Sequence, residues 1–253
     1  MDDEEMGDLL RLLRPRYTPI AIYYTKGFPS YASRPSEESC VVASMMLHAF
    51  REGRTVAISR DLVGCKGALN GLGLGGDSKD ARDAIASKYS AGTDDPGKNY
   101  FCCPEAACHN YLDAVPVYGS EDDVAVMQPI DEAQEMGADI ETVAFLTDPL
   151  ELSALVTLAG FLGKTDDTVV RCAFGFSCEQ LYAMPKQEGE RERPRLVLGA
   201  TEFYPRRFLD QSMMTVSMPY SMYKEMDEKA GSSFLASDQW RKSAQPGDRD
   251  CCC

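Results

Sequence analysis

The feature that most constrains this chain is the repeated succession of a short strand-like run and a helix-like run. "PIAIYYT" (19–25) is built of β-branched and aromatic residues and closes on Gly27 and Pro29, as a strand and turn do. "SEESCVVASMMLHAFREG" (36–53) follows, with Val41, Val42, Met45, Met46, Ala49 and Phe50 at helical spacing, Ser36 or Ser39 available as cap and Gly53 as terminator. "TVAISRD" (55–61), "DVAVMQPI" (123–130), "ETVAFLTD" (141–148), "TVVRCAF" (168–174), "LVLGA" (196–200) and "MMTVSMP" (213–219) read as further strands. Residues 4–13, 79–89, 104–113, 149–163, 177–184 and 220–230 read as helices, with Pro104 at a favoured first-turn position. Strands alternating with helices predict an α/β protein with a mixed sheet flanked by helices. With 253 residues the chain can bury a large core. The expectation is a single compact domain over 1–242 and a flexible tail over 243–253, "SAQPGDRDCCC" having no apolar pattern. Two polar connections, 91–103 and the charged "PKQEGERERPR" (185–195), are long enough to be functional loops or plain surface.

Charge excludes some functions. The net charge is −14, from 40 acidic and 26 basic residues, which opposes binding to a phosphate backbone and to anionic membranes. No apolar run approaches the ~20 residues of a membrane helix. "MDDEEMGDLLRLL" opens with acids where a secretory signal would carry positive charge, so a cytoplasmic setting is expected. Ten cysteines in that setting point to metal ligation, redox chemistry or burial, rather than to a disulfide framework.

The densest group is "NYFCCPEAACHNY" (99–111), which holds Cys102, Cys103, Cys108 and His109. Zinc and iron need thiolates or imidazoles converging on one point. Cys103 and Cys108, with four residues between them, can meet that need, and Cys103 would cap a helix starting at Pro104, where a thiolate is favoured. The alternative is two buried cysteines and a surface histidine. The same residues spell C-x4-C-H, a lengthened form of the haem c attachment motif, with His109 as an axial ligand. Cys40 falls near a helix start and shares a loose face with His48, but ~12 Å of helix separates them, too far for one ion. Cys65 precedes the glycine run "CKGALNGLGLGG", where Gly67, Gly71 and Gly73 would let backbone approach a ligand. Residues 71–76 satisfy G-x-G-x-x-G, though far from the preceding strand for a dinucleotide site. Cys172 is placed inside a strand and Cys178 at a helix start. If the fold unites Cys65, the 102–108 group and Cys172 or Cys178, four thiolates suffice for an iron–sulfur cluster. The terminal Cys251, Cys252 and Cys253 diverge too much to hold one ion together. There is no nucleophile elbow, P-loop, H-E-x-x-H or EF-hand pattern, so no reaction is assigned and whether the chain is an enzyme stays open.

Several strings together, "REGRTVAISRDLVGCKGALNGLGLG", "DIETVAFLTDPLELSALV", "CAFGFSCEQLY" and "TVSMPYSMYKEM" with Ser233, Phe234, Leu235 and Trp240 beyond it, resemble the prokaryotic family called domain of unknown function 169. The resemblance spans roughly 8–240. It implies the family's fold, a cytoplasmic setting and anaerobic metabolism, but no reaction. Cys40, Cys65 and one of Cys172 and Cys178 fall on stretches similar to the family's, whereas "CCPEAACH" and the terminal "CCC" look like departures. The resulting expectation is a cysteine-ligated metal or iron–sulfur protein of redox or cofactor metabolism, exchanging electrons with a basic partner protein. Zinc and haem c are the other groups considered. The rival expectation is a metal-free small-ligand module with its pocket near 65–76 and its cysteines structural or reactive.

Overall fold

The structure is a computed structural model, and it describes residues 6–35, 41–62, 66–75, 83, 86, 105–118, 122, 124–162, 168–202, 206 and 208–244. Its framework is a seven-stranded sheet: β1 (Ile20–Thr25), β2 (Val56–Ser59), β3 (Val124–Pro129), β4 (Thr142–Thr147), β5 (Val170–Arg171), β6 (Leu196–Gly199) and β7 (Met214–Pro219). The spatial order is β2-β3-β1-β4-β7-β6-β5. All neighbours are antiparallel except the edge pair β5–β6, so the sheet is mixed as expected.

Helices cover both faces. Ile20 and Ile22 of β1, Ala125 and Met127 of β3, and Ala144 and Leu146 of β4 point to one core cluster. Their alternates Ala21, Tyr23, Val124, Val126, Val143 and Phe145 point to the other. Both faces being buried explains why these strands read as continuous apolar runs rather than as alternating ones. On the first face lie α2 (Val41–Glu52), α3 (Lys66–Gly71) and α4 (Glu105–Ala114). On the second lie α1 (Asp8–Leu13), α5 (Ile130–Glu135) and α6 (Pro149–Leu162), which are joined later in the chain by α8 (Tyr220–Ala230) and α9 (Asp238–Ala244). The start of α6 is fixed locally. Asp148 accepts from the amides of Leu150 and Glu151 at 2.8 and 2.9 Å, and Glu151 accepts in return from the Asp148 amide at 2.9 Å, a capping box with Pro149 in the first turn.

The helix expected at 177–184 is longer than its sequence suggests. Residues 177–178 are α-helical, Glu179–Ala183 form a π-helical turn, and α7 (Met184–Gly189) continues through what reads as a charged loop. Pro185 reads as a breaker because it has no N–H for the carbonyl four residues back. That carbonyl, on Leu181, takes the Thr142 hydroxyl of β4 at 3.2 Å instead. Tertiary contact thus supplies the missing donor. Other differences are smaller. The strand expected at 168–174 is only Val170–Arg171, because the Ala173 carbonyl turns to Gln180 Nε2 (3.1 Å). Cys172 therefore lies beyond the strand and is exposed, not within the sheet. Two helices, α5 and α9, follow strand and turn signals too short to announce them, and α9 carries helix to Ala244, into the expected tail. The rest of that tail, from 245, and most of the helix expected at 79–89 lie outside the described residues.

Candidate functional site

Three segments meet on the first face, two of them carrying a cysteine among the described residues, Cys108 and Cys178. The described part of the glycine-rich segment, 66–75, forms α3 and a tight turn in which Gly73 has φ +67° and the amides of Leu74 and Gly75 both reach the Leu69 carbonyl (2.8 and 3.0 Å). The π-helical turn packs directly on it. The Cys178 thiol donates to the Gly67 carbonyl at 3.2 Å. A Cβ on Gly71 would lie 2.6 Å from Cys178 Sγ, and one on Gly73 would lie 2.8 Å from the Tyr118 carbonyl oxygen. Gly71 and Gly73 thus serve close packing between protein segments. The third segment is α4, in which Cys108 is buried in the same core cluster as Cys178 and Ala68, and from which Tyr111 reaches the π-helical turn.

Where Tyr111 arrives, the chain buries acid. Glu179 is 0 % exposed and Glu202 is 6 % exposed. Glu179 Oε2 accepts from the Tyr111 hydroxyl and from the Phe176 amide (3.2 Å), while the Tyr111 oxygen itself accepts from that amide at 2.9 Å. Glu202 Oε2 accepts from the next amide, Ser177 (3.0 Å), and from the Ser177 hydroxyl (3.3 Å). Two successive amides at a helix start are thereby each satisfied by a buried carboxyl group. Burial dominates their titration. Loss of solvation, helped by the nearby Glu202 charge, raises Glu179 to about 8 against the Phe176 amide. Burial raises Glu202 to about 7 against the two Ser177 donors. Asn70 of α3 stands close enough to favour the Glu179 charge without completing a hydrogen bond, so Glu179 Oε1 and Asn70 Nδ2 both stay unpartnered. Gln180, also buried, donates to the Ala173 carbonyl and to the Thr201 hydroxyl (2.6 Å). Near neutral pH Glu179 keeps its proton and Glu202 stands at the middle of its titration, both inside the protein interior.

A half-exposed strap closes the neighbouring side. Lys186 donates to Glu141 (2.7 Å) and to the Tyr182 hydroxyl (2.9 Å), and Tyr182 donates to the same carboxylate at 2.7 Å. The Lys186 ammonium lies 5.2 Å from the Tyr118 ring centroid and 5.3 Å from that of Tyr182. Tyr24 stacks obliquely on Tyr182 and donates to the Leu72 carbonyl at 2.5 Å, holding the glycine turn to β1.

The expected ligands are distributed as follows. Cys108 and Cys178 are buried, and Cys172 is exposed. His109 is half-buried with Nδ1 3.7 Å from Asp83, and His48 Nδ1 lies 3.0 Å from Glu52. Cys40, Cys65, Cys102 and Cys103 lie outside the described residues, as do the terminal Cys251, Cys252 and Cys253. Among the described residues no three His, Cys, Asp or Glu side chains are grouped to hold a metal ion. Sequence reasoning missed Glu179, Glu202, Tyr111 and Asn70. The available signal was an acid beside apolar residues in "FSCEQLY", which helical period alone does not separate from a surface glutamate.

The fold and this cluster define a protein with a mixed sheet between two helical layers, with the buried carboxyl groups Glu179 and Glu202 and the buried thiols Cys108 and Cys178 on one side. The chain belongs to the family of domain of unknown function 169, described as an uncharacterised ArCR family, whose sequence profile matches residues 8–229. No curated protein and no solved structure matches it. Among the described residues no helix is long and apolar enough to cross a membrane.

Proposed function

We propose that the chain is a cysteine-ligated metal or iron–sulfur protein whose site lies where α3, α4 and the π-helical turn meet. The observation that carries this reading is the contact of Cys178 Sγ with the Gly67 carbonyl at 3.2 Å. Cys65 precedes Gly67 by two residues, a span of no more than ~7 Å of chain. Chain connectivity therefore allows Cys65 and Cys178 to serve one site, which their positions in sequence do not require. Cys108 shares the same core cluster, and its own segment leads back to Cys103 and Cys102. The ligand set proposed is Cys65 and Cys178 first, with Cys102, Cys103 and Cys108 completing it. Exposed Cys172 is demoted to a reactive thiol. Glu179, which keeps its proton near neutral pH, would add no charge to a neighbouring thiolate cluster until it ionises. A net charge of −14 suits docking to a basic redox partner in the cytoplasm.

The test is protein purified without oxygen, its absorbance spectrum, and its iron, zinc and acid-labile sulfide content. The expected result is a broad band near ~400 nm with iron and sulfide, lost in Cys65→Ser and Cys178→Ser but kept in Cys172→Ser. Zinc without sulfide would keep the site and change the metal. A sharp Soret band with added mass on the intact chain would replace the reading by haem c. Metal-free, colourless wild-type protein would overturn it.

A further inference from the structure

Beside the junction of β3 and α5 lies a groove of about 570 Å³. Its base is a buried polar chain through Tyr23 and Gln128. The Tyr23 hydroxyl donates to Gln128 Oε1 at 2.5 Å, so in its 3.2 Å contact with Tyr31, on the groove wall, the Tyr31 hydroxyl is the donor. Gln128 Nε2 donates to Glu132 Oε2 at 3.2 Å and reaches Met136 Sδ at 3.4 Å. The remaining wall hydroxyls also turn to protein, Thr55 to Glu132 Oε2 (3.5 Å) and Ser33 to the Thr55 carbonyl (3.1 Å). Every neutral side-chain donor of the lining is thereby spent within the protein. What the lining has left to offer a ligand is acceptors: Glu132 Oε1, the Glu135 carboxylate and the Tyr31 oxygen.

Charge points the same way. The cation of the lining, Arg54, gives its Nε to Glu52 at 3.0 Å. Neither Glu132 nor Glu135 has an ion-pair partner among the described residues. They stand three residues apart on α5, so their carboxylates share one helix face. Arg34, next to Ser33 in the chain, stacks 4.7 Å from the Phe28 ring centroid and is not part of the lining. The segment 36–40 lies outside the described residues, and it carries Glu37 and Glu38 and no cation, so it supplies no opposing charge.

We propose that this groove binds a small organic cation bearing N–H groups, an alkylammonium or alkylguanidinium, with its head on Glu132 and Glu135 and its short tail on Tyr31 and Met136. A charged N–H donor on a carboxylate makes a stronger hydrogen bond than a neutral pair does. Tyr31 is 49 % and Met136 54 % exposed, so the tail removes apolar surface from water by covering them. The groove has the size of a metabolite site.

Isothermal titration of the full chain with pentylammonium and with pentylguanidinium tests the site. Saturable binding of one equivalent of at least one of them is expected, and the tighter of the two identifies the head. Pentyltrimethylammonium has the same charge and tail but no N–H, and should bind at least about tenfold more weakly. Glu132→Gln combined with Glu135→Gln should weaken binding about tenfold or more, whereas the same charge change on α8, Glu225→Gln with Glu228→Gln, should leave it within about twofold. No saturation by either N–H cation, equal binding of pentyltrimethylammonium, or an equal loss in the two double variants would overturn the proposal. The comparison of ligands on the wild-type chain decides the matter even if a variant fails to fold.

Discussion

Replacing Glu179 by glutamine isolates the buried proton. In the folded chain burial lifts this carboxyl from 4.5 to about 8. The folded state therefore keeps a proton that the unfolded chain releases above about pH 4.5. Stability is full below that pH and is lost as pH rises toward 8. The slope for one retained proton is about 1.4 kcal/mol per pH unit, and over the whole interval it amounts to roughly 5 kcal/mol. Glu202, lifted to about 7, adds a parallel loss that ends sooner. The introduced glutamine would mimic the neutral acid: its amide oxygen can keep the bonds from Tyr111 and the Phe176 amide, and its NH2 replaces the unpartnered Oε1. Urea unfolding at pH 5.5, 6.5, 7.5 and 8.5 reads this out through Trp240, the sole tryptophan, buried at 8 % exposure. Glu179→Gln should lie within about 1 kcal/mol of wild type at pH 5.5. It should then lose stability more slowly with pH, by about 1.4 kcal/mol per unit, and be the more stable protein at pH 8.5. Parallel curves for the two proteins would refute the argument, because they would mean that Glu179 holds no extra proton in the folded state.

Two further perturbations test the packing on either side of the sheet. Gly71→Ala gains helix propensity of about 0.5–1 kcal/mol but drives a methyl to 2.6 Å from Cys178 Sγ. A net loss of about 1–3 kcal/mol is expected, and a double-mutant cycle with Cys178→Ala should recover only part of it, because the Cys178 Cβ (2.9 Å) and the Glu179 amide nitrogen (3.0 Å) stay in the way; additive losses would mean that the clash with the sulfur is relieved elsewhere. Trp240→Phe removes the donor that holds α9 to the Leu12 carbonyl at 3.0 Å. Thermal unfolding followed by circular dichroism should show a loss of about 1–3 kcal/mol, and an unchanged midpoint would show that α9 does not contribute to the domain's cooperative unfolding.

The sequence by itself determined the elements whose signals are local. The strand β4 and helix α6 fall where their residues place them, since the capping box of Asp148 and Glu151 and the apolar spacing need only neighbours in the chain. The mixed sheet with helices follows from that succession of elements. Tertiary structure decided what depends on distant partners. Whether Pro185 ends a helix turned on Thr142, forty-three residues upstream, bonding to Leu181. Whether Cys172 belongs to a strand turned on Gln180 claiming the Ala173 carbonyl. The candidate site divides the same way. Cysteines announce themselves by type, so Cys65, Cys108 and Cys178 were legible as candidates. Glutamates do not, because a glutamate on a helix is ordinarily solvated. Only the packing of α3, α4 and the π-helical turn removes water from Glu179 and Glu202 and so makes two common residues chemically unusual.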